Sequence, residues 1–119
     1  MRRLGLLAVL AALPLLRPPP AGAHAFLDHA DPRVGSTVAP PPAVTLNFTE
    51  PVEEAFSHVE VLDPSGNRLE TGALEHPAPA TLRLPLPPLA PGDYTVRWAV
   101  VSVDTHPTEG TFTFSVKTR

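Results

Sequence analysis

The chain has 119 residues, a formal net charge of −3 and no cysteine. The absence of cysteine excludes disulfides, zinc–thiolate sites, blue-copper sites and thiolate nucleophiles, so the stability of the fold must come from packing. This length is typical of a single domain with one modest core.

The first 23 residues have the pattern of an export signal. Arg2 and Arg3 precede an apolar run over residues 4–16, and Ala21-Gly22-Ala23 has the small-x-small pattern of a cleavage site. We therefore predict a secretory signal peptide at residues 1–23 and an exported mature domain at residues 24–119. An uncleaved anchor is the alternative. The apolar run is shorter than the ~20 apolar residues of a membrane-spanning helix, which disfavours that alternative. Because cleavage would remove the run, we expect no stable membrane anchor on the mature domain.

The predicted mature domain is acidic. Cleavage removes Arg2, Arg3 and Arg17 and no acidic residue, so six Lys and Arg remain against twelve Asp and Glu, a net charge of −6. A nucleic-acid-binding protein needs a basic face, which this composition does not supply. Anionic membrane surfaces are poor partners for the same reason.

Short alternating runs of apolar and polar residues, separated by Pro, Gly and Asp, predict an all-β domain. Pro91-Gly92-Asp93-Tyr94 resembles the tyrosine corner of immunoglobulin-like folds, and Trp98 and the phenylalanines on strands are expected in the core. The pattern predicts a seven-stranded Greek-key, immunoglobulin-like β-sandwich or barrel. Its strands are expected at residues 24–29, 44–49, 58–62, 67–70, 82–86, 94–100 and 112–116, of which 67–70 is the weakest.

His24 becomes the first residue of the mature chain when cleavage follows Ala23. The free amine and the Nδ1 atom of an N-terminal histidine can together chelate one metal ion. Nitrogen and oxygen ligands in a tetragonal arrangement suit Cu(II). The position of His24 therefore indicates a copper chelate at the N-terminus.

A second metal-binding pattern is Asp104-Thr105-His106-Pro107. In extended backbone, Asp104 and His106 would point to the same side, and Pro107 favours extended geometry at His106. If consecutive strands run antiparallel, His24, Glu50 and Asp104 lie at one end of the sandwich, together with His58 and His76. An ordinary polar loop is the alternative interpretation of this segment.

Four segments of the chain resemble the CopC family of periplasmic copper-binding, copper resistance proteins. They are His24-Ala25-Phe26-Leu27, Asn47-Phe48-Thr49-Glu50-Pro51, the run from Pro91 to Trp98, and the run from Val101 to Gly110. The resemblance implies a Greek-key β-barrel that binds one Cu(II) per mature chain and is not an enzyme. It implies His24, through amine and imidazole, and Asp104 and His106 as metal ligands, with Glu50 ranked lower. It also implies a CopD-like inner-membrane copper transporter as a partner on a separate chain.

The chain departs from part of that family in its sulfur content. Some members have a Met-rich loop that binds Cu(I), whereas Met1 is the only methionine here and falls within the predicted signal peptide. Because thioether ligands select Cu(I), we expect no such site in the mature chain.

Two other functions remain open at this point. Lytic polysaccharide monooxygenases also bind copper through an N-terminal histidine, so a copper oxygenase is one alternative. A metal-free β-sandwich scaffold module is the other. His29, His58 and His76 receive no role, because such residues are mostly solvated.

Overall fold

Over the described residues, the fold is built from eight strands and a single-turn 3-10 helix at Glu54–Phe56. The computed structural model describes residues 24–118, so the predicted signal peptide and Arg119 lie outside the described residues. Within that range, no helix is long and apolar enough to cross a membrane. The strands are β1 (Leu27–Asp31), β2 (Thr37–Val38), β3 (Ala43–Phe48), β4 (His58–Leu62), β5 (Glu75–Ala78), β6 (Thr81–Pro85), β7 (Gly92–Val101) and β8 (Pro107–Val116).

The strands form two four-stranded sheets that pack face to face. One sheet has the order β1-β3-β6-β5 and the other has the order β2-β8-β7-β4. All pairs are antiparallel except β2 with β8, which is parallel. Non-consecutive neighbours within each sheet are expected of a Greek-key sandwich, so the predicted fold class is confirmed.

Alternating side chains on the long strands form the core between the sheets. On β7 every second residue is buried (Tyr94, Val96, Trp98 and Val100), and on β8 Phe112, Phe114 and Val116 are buried. This is the period-2 pattern of a strand with one face on a core. The Tyr94 hydroxyl donates to the Ala90 carbonyl at 2.6 Å, which is the hydrogen bond of a tyrosine corner.

The strand list differs from the sequence prediction at residues 67–70 and at two additional strands. Residues 67–70 are not a strand, because only Arg68 makes an isolated bridge, to Leu62. Two strands were not predicted, β2 and β5. All four residues of β5 are exposed, and the third is Pro77. This strand therefore has no apolar alternation that the sequence could reveal.

One end of the sandwich carries most of the histidines, and we call it the histidine pole. There β3, β5 and β7 end and β1, β4, β6 and β8 begin. The two sheets are joined at this end by Val52, whose N–H donates to the Pro79 carbonyl at 3.0 Å and which bridges Ser102 on the other side. His24, His58, His76 and His106 all lie on segments of this pole, whereas His29 lies in the middle of β1.

Candidate metal centre

The segment that follows His24 is anchored to both sheets. Ala25 is fully buried, and its carbonyl accepts a hydrogen bond of 2.6 Å from the Thr108 hydroxyl on β8. Phe26 exchanges two hydrogen bonds with Thr49, from the Phe26 N–H to Oγ1 at 3.0 Å and from the Thr49 N–H to the Phe26 carbonyl at 2.8 Å. The two residues after His24 are therefore held at the histidine pole, and they keep His24 near it.

His106 lies at the end of the tight hairpin loop between β7 and β8. The Thr105 N–H donates to the Ser102 carbonyl at 2.8 Å, and the Ser102 N–H donates to the His106 carbonyl at 3.1 Å. Thr105 has φ of 68°, so the loop is a turn followed by a left-handed residue, a common three-residue hairpin. The expectation of extended backbone from Asp104 to His106 is therefore wrong, because the loop must reverse the chain within three residues.

Ser102 and Thr108 support this site; both lie in the Val101–Gly110 run that carries the family resemblance, but neither was assigned a role there. Ser102 is buried, and its Oγ accepts the His106 N–H at 3.3 Å. The loop is also bonded to the connection between β3 and β4, because the Val103 N–H donates to the Pro51 carbonyl at 3.1 Å. A small hydroxyl residue just before a turn is a signal that could have indicated the supporting role of Ser102.

The structure brings the imidazoles of His24 and His106 together. Their ring centroids lie 4.8 Å apart with an interplanar angle of 36°, and both residues are exposed. A metal–nitrogen bond of about 2.0 Å puts each ring centroid roughly 3 Å from the ion, so two adjacent imidazole ligands have centroids about 4 to 5 Å apart. The observed separation fits two imidazoles on one ion.

The two predicted carboxylates are not gathered with those imidazoles. Asp104 is exposed in the hairpin loop, and Glu50 is half-buried just after β3. Between residues 24 and 118, no group of three or more His, Asp or Glu side chains is arranged to hold a metal ion. The described geometry therefore supplies a two-imidazole site, with both carboxylates on segments of the same pole.

The remaining histidines have other surroundings. His29 is exposed, with Nδ1 at 2.8 Å from Asp28 Oδ2. His76 has Nε2 at 3.0 Å from the Pro79 carbonyl and Nδ1 at 3.8 Å from Glu54 Oε1. His58 is exposed at the start of β4. The sequence placed His58 and His76 at the same end as His24, and the structure agrees.

Comparison with known proteins agrees with this fold. A family model described as "CopC domain" matches residues 27–117, a range that begins just after His24. The protein YobA of Escherichia coli strain K12 is 43% identical over 103 residues, covering 83% of each chain. CopC from Methylosinus trichosporium OB3b is 36% identical, with a TM-score of 0.72 over 79% of this chain and 94% of that one. PcoC from Escherichia coli, described as a methionine-rich copper resistance protein, is 33% identical, with a TM-score of 0.74 over 79% of this chain and 99% of that one. The family model and these relatives show that the chain belongs to the CopC family.

Proposed function

We propose that this protein binds copper in copper resistance or homeostasis, either buffering the ion or delivering it to another protein. The observation that carries the proposal is the pair of exposed imidazoles, His24 and His106, with ring centroids 4.8 Å apart. Membership of the CopC family and likeness to a solved protein described as a copper resistance protein support copper as the metal.

We propose Cu(II) as the bound state, one ion per mature chain. The described chain from 24 to 118 contains no cysteine or methionine, and a sulfur-free set of imidazole, amine and carboxylate groups suits Cu(II). PcoC is described as methionine-rich, and this chain has a single methionine, Met1. A thioether site for Cu(I) is therefore not part of the proposal.

The third nitrogen would come from the amine of His24. Cleavage after Ala23 would free that nitrogen, and the buried Ala25 next to it would hold it at the site. Asp104 is the proposed carboxylate ligand, because it lies in the same hairpin loop as His106. Glu50 is a lower-ranked candidate, one residue after the Thr49 that holds Phe26. The domain boundary at residues 23 and 24 is part of this proposal.

A carrier fits these residues better than an oxygenase. An equatorial carboxylate on copper would occupy the position at which oxygen binds, and a carrier needs no such open position. A periplasmic location and delivery to a CopD-like membrane transporter on a separate chain complete the proposal. Incubation of the copper-loaded protein with a reductant and chitin or cellulose tests the carrier function. Catalytic oxidation of the polysaccharide would show that the protein is an oxygenase and not a carrier.

A Cu(II) titration of two forms of the chain tests the metal site. One form begins at His24, and the other has one additional residue before His24, which converts the amine into an amide. We expect the first form to bind one ion with a type-2 electron paramagnetic resonance spectrum and the extended form to bind much more weakly. Equal binding by both forms would remove the amine from the ligand set.

Single substitutions test the imidazoles in the same titration. His106→Ala should weaken binding strongly, because it removes one of two facing rings. His29→Ala is the matched control, since His29 is an exposed histidine of β1 that pairs with Asp28 instead of His24. If no form binds copper, the metal-free scaffold module is the correct function.

A further inference from the structure

The histidine pole carries an unusual concentration of exposed apolar side chains. Four large apolar side chains of the described chain are strongly exposed: Phe26 (56%), Val34 (57%), Phe56 (66%) and Val103 (49%). Three of them, all except Val34, lie on the segments that form the histidine pole. Clustered exposed apolar residues at one place mark an interaction surface more often than scattered ones do.

Backbone hydrogen bonds hold the three segments that carry these side chains at the pole where the two imidazoles lie. Phe26 follows His24, and their ring centroids are 6.0 Å apart. Val103 is in the hairpin loop of His106 and its N–H donates to the Pro51 carbonyl at 3.1 Å. The turn of Phe56 begins at Glu53, whose N–H donates to the Val101 carbonyl at the end of β7 at 2.8 Å. The three exposed apolar side chains therefore lie on the N-terminal segment and on two connections of the same pole as the imidazoles.

The charged side chains of the same pole, histidines aside, are all acidic. Its segments, residues 24–28, 48–58, 76–81 and 99–109, contain no Lys or Arg and six carboxylates: Asp28, Glu50, Glu53, Glu54, Asp104 and Glu109. Among the described residues, none of these carboxylates pairs with Lys or Arg; Asp28 and Glu54 contact histidines. The five described basic residues all lie on other parts of the chain, at Arg33, Arg68, Arg83, Arg97 and Lys117.

We propose that the histidine pole is a docking surface for one protein whose contact face is apolar at its centre and ringed by Lys and Arg. Apolar contacts at Phe26, Phe56 and Val103 would supply the buried centre of the interface. The surrounding carboxylates would orient a basic partner and speed its association. A second copy of this chain is disfavoured because two acidic poles repel, and an anionic membrane is disfavoured for the same reason.

Phe26 lies beside His24 and Val103 is in the loop of His106, so we infer that a protein bound to this pole would cover the proposed copper site. That consequence rests on the proposed function, whereas the docking surface itself does not. Copper would then pass between partners within the docked complex and not through free solution.

Site-specific photocrosslinking in the organism that makes this protein tests the proposal. A photoreactive phenylalanine analogue is placed at Phe56, and at Val34 as the matched control of similar exposure outside the pole. We expect position 56 to crosslink one protein, at a segment with apolar residues flanked by Lys or Arg, and position 34 not to do so. Glu53→Lys should lower the crosslink yield about fivefold or more, the loss typical of an important interface residue. Glu70→Lys, an equal charge change at an exposed residue elsewhere, should leave the yield unchanged.

Several outcomes would overturn the docking surface. They are equal or absent crosslinking at positions 56 and 34, a crosslink to a second copy of this chain, a crosslink to lipid, and a partner segment without basic residues. The same purified proteins are titrated with Cu(II). A position-56 crosslink from a protein that does not bind copper would refute the copper function alone. Copper binding by a protein that gives no position-56 crosslink would refute the docking surface alone.

Discussion

Replacing Thr108 with valine should loosen the N-terminal segment that carries His24. The Thr108 hydroxyl donates to the carbonyl of Ala25 at 2.6 Å, linking β8 to a residue that is fully buried. Valine has nearly the same shape as threonine and an equally good strand propensity, so the substitution removes the donor and keeps the packing. The carbonyl of Ala25 then loses this partner inside the protein.

The cost follows from the burial of that carbonyl. Leaving a buried acceptor without its partner costs about 1–3 kcal/mol. Thr108 itself is half-buried, so water has some access and the lower end of that range, about 1 kcal/mol, is expected. Copper binding would have to order the loosened segment again. A cost of about 1 kcal/mol would raise the Kd for Cu(II) about fivefold.

Urea denaturation of the metal-free protein and a Cu(II) titration measure the two effects. Thr113→Val is the control, because Thr113 is an exposed threonine of the same strand. If Thr108→Val unfolds at the same urea concentration as Thr113→Val and binds copper equally, the hydrogen bond to Ala25 does not hold the N-terminal segment. A change in stability alone would show that the anchor is structural and does not position His24.

Three further results are expected. In Gly110→Ala the new Cβ would lie 2.5 Å from Cζ2 of Trp98. Thermal unfolding should then show a free energy of unfolding lower by about 1–3 kcal/mol, together with a shift in Trp98 fluorescence. Unchanged values would mean that the indole has room to move. Thr105→Gly should raise the free energy of unfolding by up to about 1 kcal/mol, because a β-branched residue is strained at a φ of 68°, and a loss of stability in urea would contradict this. Copper affinity should fall as the pH is lowered, because protons compete with the ion for imidazole and amine nitrogens; a titration that gives the same Kd at pH 5 and pH 8 would exclude them as ligands.

The periodic strands were predictable from the sequence because their pattern is local. Tyr94, Val96, Trp98 and Val100 alternate with polar or small neighbours, and a strand with one buried face requires that alternation. The tyrosine corner was also predictable, since Tyr94 needs only the turn that precedes it. The family resemblance rested on short segments in a fixed order, and the comparisons confirmed it.

The tertiary structure decided the features that depend on distant contacts. Strand β5 has four exposed residues and exists because it pairs with β6, so no apolar period could reveal it. The loop of Asp104 and His106 is a tight turn, because β7 and β8 pair along their whole length and the Ser102–His106 hydrogen bond leaves only residues 103–105 to reverse the chain. Sequence alone placed His24 and the Asp104–His106 segment at one end of a sandwich. Only the packing of the N-terminal segment between Thr49 and Thr108 set the two imidazoles 4.8 Å apart.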